Sequence, residues 1–228
     1  MCGRLNVSDD PGVRLLLAQL GISEQANKLI YNRFIRAGQQ IAIIIEENGV
    51  RLIKPATWWL LLEPHNGQLK LSRYTSFNSR SDKLTQPNSA GYTAFKTQRC
   101  IIAAKGFGET TLKGEQKHYY DFIANGALAF AGIYRMWQHP SLIEPVYSCS
   151  IITSPAHAKL RHYHHKSTPL MLAEEELEPW LNATVNPNRF SLKAKINQTL
   201  SVHELLTPSS LQGVKLAEIT PDHIRLSA

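Results

Sequence analysis

The sequence predicts an α+β fold: a single β-rich domain spanning residues 1–228, with antiparallel strands in a barrel-like arrangement and peripheral helices. Three observations predict it. Asn-Gly dipeptides at Asn48-Gly49, Asn66-Gly67 and Asn125-Gly126 each stand between apolar or alternating runs, the setting of a type I′ hairpin turn, whose two central residues need positive φ. Helical periodicity is confined to short segments. The chain of 228 residues shows no linker-like stretch and no repeat of roughly 20–50 residues, and it is long enough to close one sizeable core.

Taken in order, Asp9-Asp10-Pro11 supplies an N-cap and a proline at the first helical turn. Val13, Leu16, Leu17 and Leu20 follow at i, i+3, i+4, i+7 spacing, so a short amphipathic helix is expected to end near Gly21. The three hairpins pair 40–46 with 50–53, 57–62 with 68–71, and 119–123 with 127–134. A further strand at 147–153 runs into Ser154-Pro155, another cap-plus-proline start, which predicts a helix carrying Ala156, Leu160 and several histidines. A third helix is expected over 174–181, with Pro179 disturbing its register.

Hydrophobic residues make up 43% and charged residues 19%, the balance of a soluble globular chain rather than a disordered one. The longest apolar stretches, 41–45 and 127–133, fall far short of the ~20 residues that a membrane span needs. No apolar segment follows Met1-Cys2-Gly3-Arg4-Leu5-Asn6, so no secretory signal is expected and a reducing, cytoplasmic location is. Three cysteines are too few for a disulfide framework, and Cys100 and Cys149, set in apolar β-like runs, read as buried structural thiols. The formal charge of +7 favours a polyanionic partner. Trp58, Trp59 and Trp180 sit among apolar neighbours and read as packing residues rather than base-stacking platforms. His157, His162, His164 and His165 match no zinc spacing and have no carboxylate among them, so no metal is expected.

Cys2 is the most informative position. Loss of Met1 would leave a terminal residue bearing both an α-amine and a thiol. An α-amine has a pKa near about 7.7–8.0, so far more of it is neutral at physiological pH than of a lysine near about 10.4. Such an amine condenses with an aldehyde to an imine, and the neighbouring thiol can close a five-membered thiazolidine. A peptide carbonyl is the other possible electrophile, with the thiol as nucleophile and its own amine as base. Where Met1 is kept, Cys2 is simply a second residue.

The chain opens Met1-Cys2-Gly3-Arg4 and continues with Arg33-Phe34-Ile35-Arg36-Ala37-Gly38-Gln39-Gln40, then Asn78-Ser79-Arg80-Ser81-Asp82. Arg99-Cys100-Ile101-Ile102-Ala103-Ala104-Lys105-Gly106-Phe107-Gly108-Glu109, Phe130-Ala131-Gly132-Ile133-Tyr134 and His165-Lys166-Ser167-Thr168-Pro169-Leu170-Met171-Leu172 follow. In this order and spacing they resemble the SOS response-associated peptidase family, the abasic-site processing proteins, over nearly the whole chain. The resemblance implies that Met1 is removed and that Cys2 traps the aldehyde of an abasic site in single-stranded DNA, with Asn78, Glu109 and His165 completing the catalytic group. It also implies DNA contacts at Gly3, Arg4 and Arg80, no cofactor, no membrane partner and a monomer. Self-processing peptidase and strand-cleaving lyase activities belong to the same expectation. The other readings are a noncovalent single-strand binding module and a cysteine hydrolase acting on peptides.

Several positions depart from the family pattern. Ile35 stands where Asn is usual, Gly38 and Ala103 where Pro is usual, Trp59 where Gly is usual, and Asp82 where Glu is usual. Thr110 replaces a usual Trp, and Ser167-Thr168 replace Arg-Met or Arg-Arg. Loss of the arginine at 167 removes a phosphate contact, with Lys166 as a partial substitute, so weaker or differently oriented DNA binding is expected.

Overall fold

The computed structural model describes residues 3–138 and 143–222. The chain opens with β1 (Arg4–Val7), α1 (Pro11–Gln19), β2 (Asn32–Arg36), β3 (Gln40–Glu47) and β4 (Val50–Thr57). Then come β5 (Leu62–His65), β6 (Gln68–Leu71), β7 (Asn78–Arg80), α2 (Tyr92–Thr97) and two long strands, β8 (Arg99–Lys113) and β9 (Gln116–Trp137). It ends with β10 (Val146–Pro155), β11 (Ser167–Pro169), α3 (Glu174–Leu181), β12 (Leu200–Leu205) and β13 (Val214–Ile219). Among the described residues no helix is long and apolar enough to cross a membrane.

Strands of the main sheet neighbour one another in the order β13-β12-β9-β10-β4-β3-β8-β1-β2, and a further pairing of β8 with β9 closes the middle of that row into a barrel. The barrel-like β-rich fold is therefore as expected. The pairing is mostly antiparallel, but β10 runs parallel to β4 and to β7. Closure depends on the length of β9, whose first half pairs with β12 and whose second half pairs with β10.

Closure explains the apolar runs. Along β3, Ile41, Ile43 and Ile45 belong to one buried cluster, and Ala42 and Ile44 to a second. On β8, Cys100, Ile102 and Ala104 face the first cluster while Ile101 and Ala103 face the second. Period-2 alternation thus fills the barrel interior with one set and the layer beneath the helices with the other. The second cluster includes Val13, Leu16 and Leu17 of α1 and Leu177, Trp180 and Leu181 of α3.

The helix ends are specifically held. The Asp10 carboxylate accepts from the Gly12 N–H at 2.8 Å, the cap that its sequence announces. Glu176 accepts from the Ala173 N–H at 2.9 Å, and α3 runs through Pro179 at the loss of a backbone bond. Arg99 donates to the carbonyls of Phe95 and Lys96 at the end of α2 and to those of Trp180, Asn182 and Val185 at the end of α3. Its positive charge sits where both sets of orphan carbonyls converge.

The two earlier Asn-Gly turns form as expected, with φ of 52° and 75° at Asn48 and Gly49 and of 50° and 75° at Asn66 and Gly67. The third does not. Asn125-Gly126 lies inside β9, and the turn of that hairpin is at Gly114, φ 61°. The close approach here needs the glycine at 12: a Cβ on Gly12 at the start of α1 would lie 2.6 Å from the Gly126 carbonyl carbon, whereas one on Gly126 would meet only the end of the Gln198 side chain at 3.0 Å. Lys105 Nζ fastens the place, donating to Asp10 Oδ1, Asn125 O and Gly126 O at 3.0–3.1 Å.

Two other expectations are corrected. The helix after Ser154-Pro155 is only a 3₁₀ turn at Ala158–Leu160, because β10 continues to Pro155 and the Ser154 hydroxyl donates to Leu192 O rather than capping. Residues 58–61 are not a strand. β5 begins at Leu62, and Trp58 is fully buried with its indole N–H on Phe77 O. Helix α2 was not anticipated, because its six residues carry too little apolar periodicity to read.

Candidate active site

β1 lies between β2 and β8, with Arg4 opposite Gly108, Leu5 opposite Phe107 and Asn6 opposite Gly106. In this register the described chain begins beside Glu109. Glu109 and Thr111 share a face of β8 and are buried, whereas Thr110 between them is exposed. Glu109 is 2% exposed and His164 4%, with Glu109 Oε2 3.5 Å from His164 Nε2.

Burial dominates the chemistry of this pair. It pushes the Glu109 carboxyl up to about 7, against the opposing pull of Arg4 and Lys166. It drives His164 down to about 3, with His165 and Lys166 acting the same way. At neutral pH the imidazole is neutral and the carboxyl is poised between its two forms. The 3.5 Å contact thus brings a carboxyl and a neutral imidazole together without a standing ion pair. A carboxyl that can give or take a proton near pH 7, beside a neutral imidazole, suits general acid–base work.

The loop bearing His164 is anchored through its neighbour. The Tyr163 ring meets Tyr120 and Phe122 edge-on at 5.3 and 6.0 Å, and its carbonyl accepts from the Thr111 hydroxyl at 2.6 Å. Beyond the loop, β11 docks on β10 with Pro169 opposite Thr153. Between these two anchors His164 points in and His165 points out. His165 is exposed, its ring stacked 6.2 Å from that of His164. The imidazole beside Glu109 is therefore that of His164, the residue before the His165 expected from the sequence. Counting back from Pro169 reaches His165, and the turn over residues 161–163 leaves its predecessor as the buried one. The expected histidine group also disperses, with His157 Nε2 on Asp222 Oδ2 at 3.0 Å and His162 exposed.

Arg4, expected to contact DNA, has its side chain bound within the protein. It is 7% exposed, and its guanidinium donates to Thr110 Oγ1, Glu109 O, Tyr120 O and Asp121 Oδ1 at 3.1–3.3 Å. Those partners hold it inside the protein rather than presenting it to a phosphate. Gly108 makes the arrangement possible, since a Cβ there would lie 2.4 Å from Arg4 Nε and 2.7 Å from Asp121 Oδ1. Arg33 contributes a second cation to Asp121, 3.1 Å from Oδ2. Burial raises the Asp121 carboxyl, and Arg4 and Arg33 oppose that rise.

Asn78 sits on β7, opposite Ile151 of β10, and with Arg80 and Lys83 lines a groove of about 450 Å³. Arg80 is exposed and held in a fork by Asp82, at 2.9 Å from Nε to Oδ1 and 2.7 Å from Nη2 to Oδ2. Asn78 and Arg80 thus approach the end of β10 on β7, while His164 arrives through the loop before β11. Gly3 is half-buried ahead of β1, and Cys2 lies outside the described residues. Cys100 and Cys149 are fully buried, and burial raises both thiols, so neither is a ready nucleophile.

The model of one protein family, described as SOS response associated peptidase (SRAP), matches residues 1–207. The chain belongs to this family. Among curated SRAP relatives, it is 27% identical over 157 residues to abasic site processing protein HMCES of Gallus gallus, covering 60% of this chain and 45% of that protein. It is 30% identical over 146 residues to abasic site processing protein YoaM of Bacillus subtilis, covering 62% and 61%. The chain thus spans about half the length of the vertebrate relatives and under two thirds of the Bacillus one. A Bordetella bronchiseptica crystal structure matches with a TM-score of 0.68 at 16% identity, over 90% of this chain and 100% of that one. One from Bacteroides thetaiotaomicron matches at 0.66 and 18%, over 92% and 97%. Both share the fold.

Proposed function

We propose that this SRAP protein processes abasic sites in single-stranded DNA, capturing the open-chain aldehyde with Cys2 once Met1 has been removed. The observation that carries this reading is the buried Glu109–His164 pair on β8, the strand that pairs with the N-terminal strand β1. The names of the relatives, abasic site processing proteins, support the substrate class.

The capture consists of proton transfers around one carbon. The Cys2 amine adds to the aldehyde, giving a carbinolamine. Protonated Glu109 gives its proton to the departing hydroxyl, water leaves, and the resulting Glu109 carboxylate takes the proton from the nitrogen, so that an imine forms and the carboxyl is restored. The Cys2 sulfur then adds to the imine carbon, and the thiol proton passes to the nitrogen, closing a thiazolidine with one water released overall. His164, neutral in its buried setting, accepts and returns protons, and Asn78 orients the sugar oxygen or the amine. The imine also acidifies the adjacent sugar carbon, which opens a route to strand cleavage as a second activity. Arg80 and the exposed Arg161 and Lys166 would supply contacts to the DNA backbone.

Mixing the protein with a single-stranded oligonucleotide bearing one abasic site, then running a denaturing gel, tests the proposal. A slow band that needs the abasic site and disappears in Cys2→Ala is expected. Its absence from protein whose intact mass shows a Cys2 terminus would remove the reading, and a complex that falls apart on denaturation would favour noncovalent binding. For the peptide-hydrolase alternative, the mass of Glu109→Gln made without aminopeptidase reports whether Met1 is released by the protein itself.

A further inference from the structure

Thr111, two positions beyond Glu109 on the same face of β8, is buried at 8% exposure. Its Oγ1 lies 2.6 Å from Tyr163 O and 3.3 Å from His164 Nδ1. A hydroxyl has one hydrogen to donate, and a carbonyl oxygen can only accept. The hydrogen therefore goes to Tyr163 O, and toward His164 the Thr111 oxygen can act only as acceptor. Nδ1 must then carry hydrogen. A neutral imidazole carries just one, so the nitrogen 3.5 Å from Glu109 Oε2 is unprotonated.

We propose that Thr111 is a positioning residue that fixes His164 as its Nδ1–H tautomer, so that His164 Nε2 and the Glu109 carboxyl share a single transferable proton. The inference rests on the reading of Glu109 and His164 as the proton-transfer pair and adds the group that sets where the proton starts. In one state the proton is on Glu109 Oε2 and faces the Nε2 lone pair. In the other it has crossed to Nε2, leaving a carboxylate against an imidazolium with no atom gained or lost. The opposite tautomer would set the Nδ1 lone pair against a Thr111 oxygen whose hydrogen is already committed. It would also fill the Nε2 position with a hydrogen, and Glu109 could then pass no proton to His164. The raised carboxyl and lowered imidazole agree with the proton residing on Glu109 at rest.

Two-bond ¹H–¹⁵N correlation of the histidine rings in the full chain, with the His164 signals assigned by their loss in His164→Asn, reads the tautomer directly. The wild type is expected to show the Nδ1–H pattern. An Nε2–H pattern there overturns the proposal without need of any variant. Thr111→Val, which removes the hydroxyl at nearly constant shape, is expected to shift His164 toward Nε2–H and to slow adduct formation about 10-fold, a part of the 10²–10⁴ that a proton-transfer group supplies. Thr111→Ser should restore both within about 2-fold. A folded Thr111→Val that keeps Nδ1–H and the wild-type rate overturns the proposal. Should the wild type form no adduct, the function proposed above fails while the ring spectrum still decides the tautomer.

Discussion

The two halves of the β8–β9 hairpin share one ladder, and it is the second that adds buried carboxyls to its apolar core, beside Phe107, Tyr120 and Phe122. From Arg99 to Ala104, opposite 128–133, the strand buries Cys100, Ile101, Ile102, Ala103 and Ala104. Past the register shift between Ala104 and Gly106, the same strand opposite 116–123 buries Glu109 and Thr111, with Asp121 across from Gly108 and the Arg4 guanidinium laid over it. The first half gains from burial in the ordinary hydrophobic sense. In the second half, burial moves proton affinities, and every buried polar group needs a named partner. The comparison teaches that the barrel supplies the rigidity in one stretch and the reactivity in the next, along a single strand.

The largest expected effect lies in the polar half. Glu109→Gln should slow adduct formation by about 10²–10⁴, the usual span of a general acid–base group. With the carboxyl at about 7 and required in its protonated form, and the amine required neutral with a pKa near about 7.7–8.0, the wild-type rate should rise with pH to near 7, level off, and fall above about 8. Glu109→Gln should lose the falling limb. Rates measured on denaturing gels from pH 5.5 to 9.5 decide this, and a falling limb that persists in Glu109→Gln would break the assignment.

The same shift has a consequence for stability. A carboxyl whose folded pKa is raised from 4.5 to about 7 favours the native state below about 4.5, and that contribution is lost as pH rises toward 7. Glu109→Gln should therefore be more stable than the wild type at pH 8, on the order of 3 kcal/mol, with little difference at pH 4. Urea titrations at the two pH values check the sign.

Next in size, Arg4→Met would leave Asp121 buried with Arg33 as its remaining cation partner in this group. It should cost about 3–5 kcal/mol of stability, read as a lowered urea midpoint. If Arg4 were a phosphate contact instead, the midpoint would stay and only the salt dependence of DNA binding would change. The smallest effect belongs to the apolar half. Ile102→Val, at a position with 0% exposure, should cost about 0.5–1.5 kcal/mol and leave the adduct rate unchanged. A slowed rate there would show that the two halves are not separable in the way proposed.

What could be read from the residues followed local chemistry. Asn48-Gly49 and Asn66-Gly67 require positive φ wherever they turn, and Asp10-Pro11 announces a helix start by cap and ring geometry alone. Asn125-Gly126 misled because the dipeptide lies inside a long strand, against whose backbone Gly12, far away in sequence, lets the start of α1 come close. Within the site, Glu109 is picked out by resemblance, whereas the histidine packed beside it is one residue earlier than the one the resemblance indicates. The choice between His164 and His165 is made by Tyr163 packing on β9 and by the docking of β11, and neither leaves a trace at the histidines themselves. The setting of Arg4 is illegible for a related reason: nothing in Met1-Cys2-Gly3-Arg4 tells that a glycine at 108 has cleared a bed for its guanidinium.

Arg99 joins the tail of α2 to the tail of α3 through one side chain. Two helices latched by a common cation cannot fray independently, so amide exchange at 96–98 and at 180–185 should proceed in step, and Arg99→Lys, with its single ammonium point, should let both ends loosen together.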